Sequence, residues 1–238
     1  MVLQFFAIYR LVLRHQITRG RALLVAAISA GGILIGAAVL RNVSDPTDAA
    51  VNFVFVLGLG LTIPVVSLML GSRAMGEWYD DETLVYVWLR PVPRSIIALA
   101  AIAAALSISI PANLVPMVAT VLAAGETGGG VLTGTMAATT LVTIPYTAVF
   151  VVLGITVKRP LAFGLIYVFI WEFFISRGAE GAARLSINSY GSTILSNATG
   201  IPLTFADRAE WATTAIPAAV TIIAIVLGTL RLQRMEVA

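Results

Sequence analysis

Residues 72–94 read SRAMGEWYDDETLVYVWLRPVPR and carry four acidic and three basic side chains. The segment separates two apolar runs, 49–70 and 96–124. Each run is long enough, as a helix, to cross a hydrocarbon core of about 30 Å. A charged segment between two such runs has to emerge into water. We therefore expect two membrane-spanning helices joined by residues 72–94.

The composition of the whole chain indicates a membrane protein. Of its 238 residues 59% are hydrophobic and 11% are charged, whereas soluble domains contain about 25% charged residues. We expect an all-α membrane protein with a single transmembrane domain over residues 1–238. The net charge of +3 does not indicate a nucleic-acid partner, because the basic residues fall where membrane topology places them. The absence of cysteine excludes disulfides, thiol catalysis and thiolate metal sites.

Six apolar stretches are candidates for membrane-spanning helices: 22–40, 49–70, 96–124, 131–157, 161–176 and 212–230. With this topology, eleven of the 15 Lys and Arg residues fall on one side of the membrane and four on the other. The side richer in Lys and Arg is the cytoplasmic one. We therefore expect both termini and residues 72–94 to be cytoplasmic, in a multi-pass protein of the cytoplasmic membrane.

The N-terminal stretch 1–21 is predicted to be an amphipathic helix in the inner membrane interface. Its apolar residues precede its arginines, which is the reverse of a signal peptide. On a helical wheel Arg10, Arg14 and Arg21 share one side, and aromatic and aliphatic residues occupy the rest. This helix serves either as an anchor alone or also as a contact for a cytoplasmic partner. The single histidine, His15, cannot build a multi-histidine metal site.

Gly32 and Gly36 lie four residues apart in the first predicted span. Small residues at this spacing let two helix backbones approach closely. The spacing fits packing within one chain, and it also fits a contact between two copies of a membrane subunit.

Glu172 is the only acidic residue inside a predicted span. A carboxylate within a membrane is a functional candidate because its burial is costly. Two hypotheses remain open for this residue. It lines a substrate pathway, or it is an interfacial acid paired with Arg177 or water.

Residues 177–211 form the long segment expected on the outer side. About half of the segment is polar, and it contains no uninterrupted apolar run of spanning length. Short bursts of Ile, Leu and Phe favour short re-entrant half-helices that dip into the outer leaflet and cap the bundle.

Several classes of catalytic and carrier chemistry are missing from the sequence. It has no Walker A motif, no zinc-ligand cluster, no serine–histidine arrangement and no paired intramembrane carboxylates. We therefore expect no enzyme activity and no cofactor in this chain itself. Energy for any transport would then come from a separate subunit. A scaffold or sensor that binds a cytoplasmic regulator and an ATP-independent channel or carrier remain as alternatives.

A short helix is predicted inside the cytoplasmic segment, over residues 82–89. Asp80 or Asp81 can cap its N-terminus, and Pro91 ends it. The helix would present Leu84 and Trp88 on one apolar face. Tryptophan is enriched at interface hot spots, so this face fits a protein partner. It also fits a helix that lies on lipid headgroups.

The same segment resembles the loop between the second and third spans of permease subunits in the ABC type-2 exporter family. In that family the loop typically reads Glu-Arg, then Gly-Thr-Leu-Glu, and ends in Pro-Val/Ile-Ser-Arg. This chain has Glu77, then Glu82-Thr83-Leu84, then Leu89-Arg90-Pro91-Val92-Pro93-Arg94. It differs in having Trp78 after the first Glu, Glu82 in place of Gly and Pro93 in place of Ser. The layout matches over the whole chain, and the motif over about twenty residues.

The resemblance implies that the chain is one half of the membrane part of a bacterial exporter, in which two permease chains, identical or different, form a pore. Two ATP-binding cassette subunits would bind ATP and Mg²⁺ from below and drive export of a hydrophobic or amphiphilic drug, lipid or peptide. Residues 72–94 would form the coupling loop that docks on the ATPase. The contact residues implied are Glu77, Asp81, Glu82, Thr83, Leu84, Trp88, Arg90 and Pro91.

Overall fold

The computed structural model describes residues 2–38, 42–80, 92–178, 180–204 and 208–234, with only the backbone described for 76–80, 177 and 180. Every regular element in these ranges is helical. In chain order the elements are α1 (Val2–Gln16), α2 (Arg19–Ala38), α3 (Pro46–Phe53), a π-helical stretch (Val54–Thr62), α4 (Ile63–Asp80), α5 (Arg94–Ala124), α6 (Val131–Thr156), α7 (Pro160–Ile166), a second π-helical stretch (Tyr167–Ile175), α8 (Ser176–Gly178), α9 (Glu180–Ala183), α10 (Ile187–Thr199) and α11 (Glu210–Arg234).

Five helical segments among the described residues are long and apolar enough to span a membrane: Arg19–Ala38, Pro46–Met75, Arg94–Ala124, Val131–Thr156 and Glu210–Arg234. Five of the six predicted spans are therefore confirmed as helices of spanning length. The predicted span 161–176 corresponds to Pro160–Ile175, which is apolar but shorter. Its second half winds as a π-helix, which advances less per residue than an α-helix. This segment alone is shorter than a hydrocarbon core is thick.

The N-terminal stretch 1–21 forms two helices rather than one. α1 ends at Gln16, and α2 begins at Arg19. Thr18 caps α2, because its hydroxyl oxygen accepts a hydrogen bond from the Arg21 backbone N–H at 3.4 Å. The Arg21 guanidinium donates to the Gln16 carbonyl oxygen at 2.7 Å and links the two helices. The spanning helix therefore begins three residues earlier than predicted.

α1 has one buried face and one charged face. Ile8 and Val12 are buried against the bundle, whereas Arg10 and Arg14 are exposed. This arrangement has the two-sided character expected from the sequence. The location of the helix at a membrane interface stays a prediction.

One end of the bundle, called the basic end below, is held together by an apolar cluster drawn from five helices. Its members include Ile8 and Val12 of α1, Met75 of α4, Ile97 of α5, Ile155 of α6 and Leu232 of α11. The basic residues near these helix ends therefore gather at one end of the molecule: Arg10, Arg14, Arg19, Arg21, Arg73, Arg94, Lys158, Arg159, Arg231 and Arg234.

The opposite end, called the glycine end, is built around the turn 125–130. Gly125, Gly129 and Gly130 have positive φ angles there, between 56° and 85°, which other residues rarely adopt. The Thr47 hydroxyl donates to a Glu126 carboxylate oxygen at 2.8 Å and ties α3 to this turn. Four acidic residues with described side chains lie at this end: Asp45, Asp48, Glu126 and Glu210.

The outermost spanning helix, α2, touches α5 through its two glycines. A Cβ atom at Gly32 would overlap the hydroxyl oxygen of Thr120, and one at Gly36 would overlap the carbonyl oxygen of Thr120. The packing within one chain that the sequence allowed is therefore what the structure contains. The face that carries both glycines is occupied by α5 and is not available for a contact between two copies.

Candidate functional site

The most unusual buried group in the described part of the chain is the carboxylate of Glu172. It lies in the π-helical stretch Tyr167–Ile175, and its residue is 1% exposed. The π-helical winding pairs residues five apart, and it brings the Tyr167 hydroxyl within 2.9 Å of Glu172 Oε1, to which it donates a hydrogen bond. The carboxylate is therefore buried among helices and not exposed on the surface of the described chain, and its role in a substrate pathway stays a prediction.

The other hydrogen-bond donors to Glu172 lie at the start of α10, further along the chain. The Ser186 hydroxyl donates to Oε2, and the Ile187 backbone N–H donates to Oε1 at 3.1 Å. Ile187 is the first residue of α10, so the carboxylate occupies the N-terminus of that helix. A side-chain oxygen at this position satisfies an amide of the first helical turn that has no partner within the helix. The side chain of Arg177, the pairing partner proposed from the sequence, is outside the description.

The carboxylate joins two short helical segments that together replace one continuous span. Pro160–Ile175 begins beside the basic end, and α10 ends at the glycine end, where a Cβ atom at Gly130 would overlap the Ala198 carbonyl oxygen. Between them the chain forms only the short helices α8 and α9. The path from Pro160 to Thr199 is thus a discontinuous helix with Glu172 at its break.

The break lies well inside the bundle. Tyr146, which lies beside the Glu172 carboxylate and the Asn188 backbone, is the sixteenth residue of the 26-residue α6. At 1.5 Å per residue it is about 22 Å along the axis from the start of α6. The break is therefore remote from both helix ends of α6. Half-helix termini at such depths are where many transporters bind ions or substrates.

A small polar cavity of about 10 Å³ lies beside the break. Its lining includes the following polar residues: Ser176, Ser186, Asn188, Ser189, Ser192 and Thr204. The side-chain oxygen of Asn188 is buried without a hydrogen-bond partner in the described part of the chain. The volume corresponds to about one water molecule, which would have enough polar neighbours.

A second polar feature, the hydroxyl seam, runs through the bundle. It consists of Ser67, Ser109, Asn113, Thr135, Thr139, Thr143 and Thr147, all of them fully buried. The Asn113 amide joins three helices, because it donates to the Ser67 hydroxyl of α4 at 3.0 Å and to the Thr143 hydroxyl of α6 at 3.2 Å.

Several polar atoms of the hydroxyl seam have no hydrogen-bond partner in the described ranges. They are the hydroxyl oxygens of Ser109, Thr135, Thr139 and Thr147 and the side-chain oxygen of Asn113. Each such buried group costs about 1–3 kcal/mol when it is left unpaired. A bundle that only had to be stable would gain from apolar residues here. The seam therefore suits a state of the protein in which water or a polar solute reaches these atoms.

Part of this site was predictable from the sequence. Glu172 was identified as the only acid in a predicted span, and the structure brings it together with Tyr167 and Ser186. The hydroxyl seam was missed, although the four-residue spacing of its threonines on α6 was a visible signal. Ser186 and Ile187 carried no such signal, because their role depends on the break before α10.

Of the coupling loop predicted over residues 72–94, the structure describes 72–80 and 92–94. Residues 72–80 continue α4 instead of forming a loop, and Ser72 and Met75 are buried in the bundle. The predicted contact residues lie almost entirely outside the described residues. The backbone of Glu77 belongs to α4, but its side chain is not described. The remaining predicted contacts are outside the description altogether: Asp81, Glu82, Thr83, Leu84, Trp88, Arg90 and Pro91. The structure gives the positions of the chain on either side, at the basic end.

Among the described residues, no group of three or more His, Asp or Glu side chains could hold a metal ion. No family model matches the chain, and no curated protein matches it.

Proposed function

We propose that this chain is the membrane-spanning permease subunit of an ATP-driven exporter of the ABC type-2 kind, in the cytoplasmic membrane of a bacterium. It would act with a second permease chain and two copies of an ATP-binding cassette subunit. Its cargo would be hydrophobic or amphiphilic. ATP hydrolysis would supply the energy, and the partner subunits, not this chain, would bind ATP and Mg²⁺.

The arrangement of the basic end is the observation that carries this proposal. One apolar cluster contains Val12 of α1, Met75 near the end of α4 and Ile97 near the start of α5. Helices α4 and α5 flank residues 81–91, so that segment is attached on both sides to helices that pack with each other and with α1. A force applied to it by a partner would reach α1, α4 and α5 together. This is what a coupling element requires.

The discontinuous helix supports an even number of membrane passes. In this proposal the path from Pro160 to Thr199 would be a sixth pass beside the five helices of spanning length. Six passes place both termini on one side, and the density of Lys and Arg at the basic end makes that side cytoplasmic. The buried α10 would then complete this pass, the fifth along the chain, in place of the re-entrant half-helices expected within residues 177–211.

Alternation between two packings of the bundle would move the cargo. The hydroxyl seam lies between α4, α5 and α6, and unpaired polar atoms there favour a second state in which they are solvated. Closure of the ATPases would push on the coupling loop and shift the balance between the two states.

The proposal is tested by co-purification of the chain with a candidate ATP-binding cassette subunit and by reconstitution of the complex. Trp88→Ala should leave membrane insertion intact but remove the stimulation of ATP hydrolysis by cargo, because it truncates the proposed docking face. Trp211→Ala is the matched control, since Trp211 is exposed at the opposite end of the bundle. Unchanged cargo-stimulated turnover in Trp88→Ala would contradict a coupling role.

A scaffold or sensor would give a different outcome in the same experiment. It would bind a cytoplasmic regulator, but it would neither copurify in a fixed ratio with an ATPase nor support ATP-driven flux.

A second candidate function, an ATP-independent carrier, is favoured by one observation. Carriers driven by protons or ions often use broken helices with ionisable groups at the break, and Glu172 occupies such a break. This carrier would show flux in liposomes that contain the single chain, without ATP. The flux would follow a pH gradient and would be lost in Glu172→Gln. Absence of flux without the ATPase would leave the exporter as the explanation.

A further inference from the structure

A groove of about 640 Å³ runs along the outside of the bundle between α2 and α5. One wall is a face of α2 that extends from Arg21 to Ile33, a length of about 18 Å at 1.5 Å per residue. Most side chains of this wall are small, with Ala22, Ala26 and Ala30 among them. The length of the groove and its small side chains therefore suit an extended hydrocarbon chain.

The opposite wall of the groove is also apolar. It is formed by Ile108, Pro111 and Val115 of α5, and Leu70 of α4 contributes to the floor. Val115 is 52% exposed and Ile33 is 45% exposed, so the described chain leaves this surface open. In a bilayer such a surface faces lipid tails.

The end of the groove nearest the basic end is polar. It is lined by Gln16, Thr18 and Arg21, which form the elbow between α1 and α2. A ligand that fits both parts has an apolar chain and a polar head, with the head at the elbow.

The charge of this region selects the kind of head. No Asp or Glu precedes Asp45 in the sequence, whereas four arginines lie between residues 10 and 21. Arg21 and Arg73 also line an adjoining cavity of about 170 Å³. An anionic head is attracted by such a basic surface, and a zwitterionic one much less.

Gln16 gives an independent indication of a missing polar ligand. Its side chain is fully buried, and neither its amide nitrogen nor its amide oxygen has a hydrogen-bond partner among the described residues. Such a group is costly unless something binds it. It lines the polar end of the groove, where the oxygen of a phosphate head is a suitable acceptor for the amide nitrogen.

We propose that the groove between α2 and α5 binds one anionic glycerophospholipid from the leaflet at the basic end. An acyl chain lies along α2, and the phosphate lies at the elbow beside Arg21. The proposed lipid site requires only that the chain spans a membrane, so evidence against the proposed exporter function would not be evidence against this site.

The test is native mass spectrometry of the purified chain in detergent with added phosphatidylglycerol or phosphatidylcholine. The unmodified chain should retain one phosphatidylglycerol in preference to phosphatidylcholine. Arg21→Gln should weaken phosphatidylglycerol retention about fivefold, the effect of one basic residue near an anionic membrane surface. Arg21→Lys keeps the charge and should retain most of the preference.

Two matched controls separate the groove from the rest of the surface. Arg10→Gln removes an exposed arginine of α1 that does not line the groove, and it should leave retention unchanged. Ala26→Trp fills the groove and should abolish retention. Ala27→Trp adds the same bulk at the next exposed position of α2, which does not line the groove, and should have no effect. Gel filtration and circular dichroism confirm the fold of each variant.

Three results would overturn the proposal. The first is equal retention of the two lipids by the unmodified chain. The second is an equal loss of phosphatidylglycerol in Ala26→Trp and Ala27→Trp. The third is a change of oligomeric state in Ala26→Trp with unchanged lipid retention, which would assign the groove to a second copy of the chain.

Discussion

Glu172 receives hydrogen bonds from both halves of a broken helix. The Tyr167 hydroxyl comes from its own half, and the Ser186 hydroxyl and Ile187 backbone N–H come from the half that follows. A carboxylate accepts from all of these donors at once. The residue therefore stabilises the break in the form seen here.

Glu172→Gln tests this role at the scale of one residue. Glutamine keeps the shape, and its NH₂ group can donate to the Ser186 hydroxyl oxygen, which then accepts instead of donating. The substitution therefore replaces hydrogen bonds to a carboxylate by weaker bonds to a neutral amide. We expect the chain to lose about 2 kcal/mol of stability and to show a lower apparent Tm in detergent.

Glu210→Gln is the control for this substitution. Glu210 is an exposed acid in the first turn of α11, where loss of its charge should cost only about 0.5 kcal/mol. Equal melting temperatures for the two variants would show that the Glu172 carboxylate does not hold the break together.

Sequence reasoning reached Glu172 but not its surroundings. An acid in an apolar run is visible from composition alone. Its partners Ser186 and Ile187 lie 14 and 15 residues later, beyond a break that periodicity does not reveal. The π-helical winding that brings Tyr167 to the carboxylate also has no clear sequence pattern. For these reasons the sequence left an interfacial acid as an alternative.

At the scale of elements, the spanning helices were predictable because length and apolarity alone determine them. The first residue of α2 was harder to predict, because it depends on a cap from Thr18. α10 was anticipated only as a short half-helix, since its burial depends on close packing with α6. Gly191 shows this dependence, because a Cβ atom there would overlap a Val142 methyl group.

The contact between α2 and α5 can be tested by comparing a glycine of α2 that packs against α5 with a glycine of α2 that does not. A Cβ atom at Gly36 would overlap the Thr120 carbonyl oxygen, which belongs to the backbone and cannot rotate away. Gly36→Ala should therefore separate the helices and cost about 1–3 kcal/mol. Gly31→Ala has no atom within 4 Å of the new Cβ and should be neutral or stabilising. Thermal unfolding in detergent compares the two, and equal stability would contradict the packing described.

The hydroxyl seam can be tested by thiol labelling, since the chain has no cysteine of its own. Thr139→Cys places a thiol in the seam, and Ala138→Cys places one at the adjacent, equally buried position of α6, which packs in an apolar cluster. If the seam is solvated during transport, a small membrane-impermeant reagent should label Thr139→Cys during turnover and leave Ala138→Cys unmodified. Protection of both variants under all conditions would argue for a permanently dry seam.

At the scale of the whole molecule, the two ends of the bundle differ in their number of Lys and Arg residues, although Glu77 and Asp80 also belong to the basic end. Arg and Lys gather beside the cluster that contains Val12 and Leu232, and acids such as Glu126 and Asp48 lie at the other end. The sequence could predict this separation only through an assumed topology of six spans. The structure brings the relevant helix ends together without reference to a membrane, so packing and charge independently distinguish the same two ends.

The sidedness of the bundle follows from this separation. Basic residues resist transfer across the cytoplasmic membrane during insertion, so the basic end should remain inside. Gly128→Cys and Lys158→Cys place single thiols at exposed positions of the glycine end and the basic end, respectively. An impermeant thiol reagent added to intact cells should label Gly128→Cys only, and permeabilised cells should show labelling of both.

The reverse result would have consequences for every proposal that involves a cytoplasmic partner. Labelling of Lys158→Cys from outside would place the ends of α4 and α5, and with them residues 81–91, on the side away from ATP. No cytoplasmic ATPase could then reach Trp88. The lipid site would survive that result, because its basic elbow would only meet the opposite leaflet. The labelling experiment therefore separates the exporter proposal from the features of the bundle that do not depend on it.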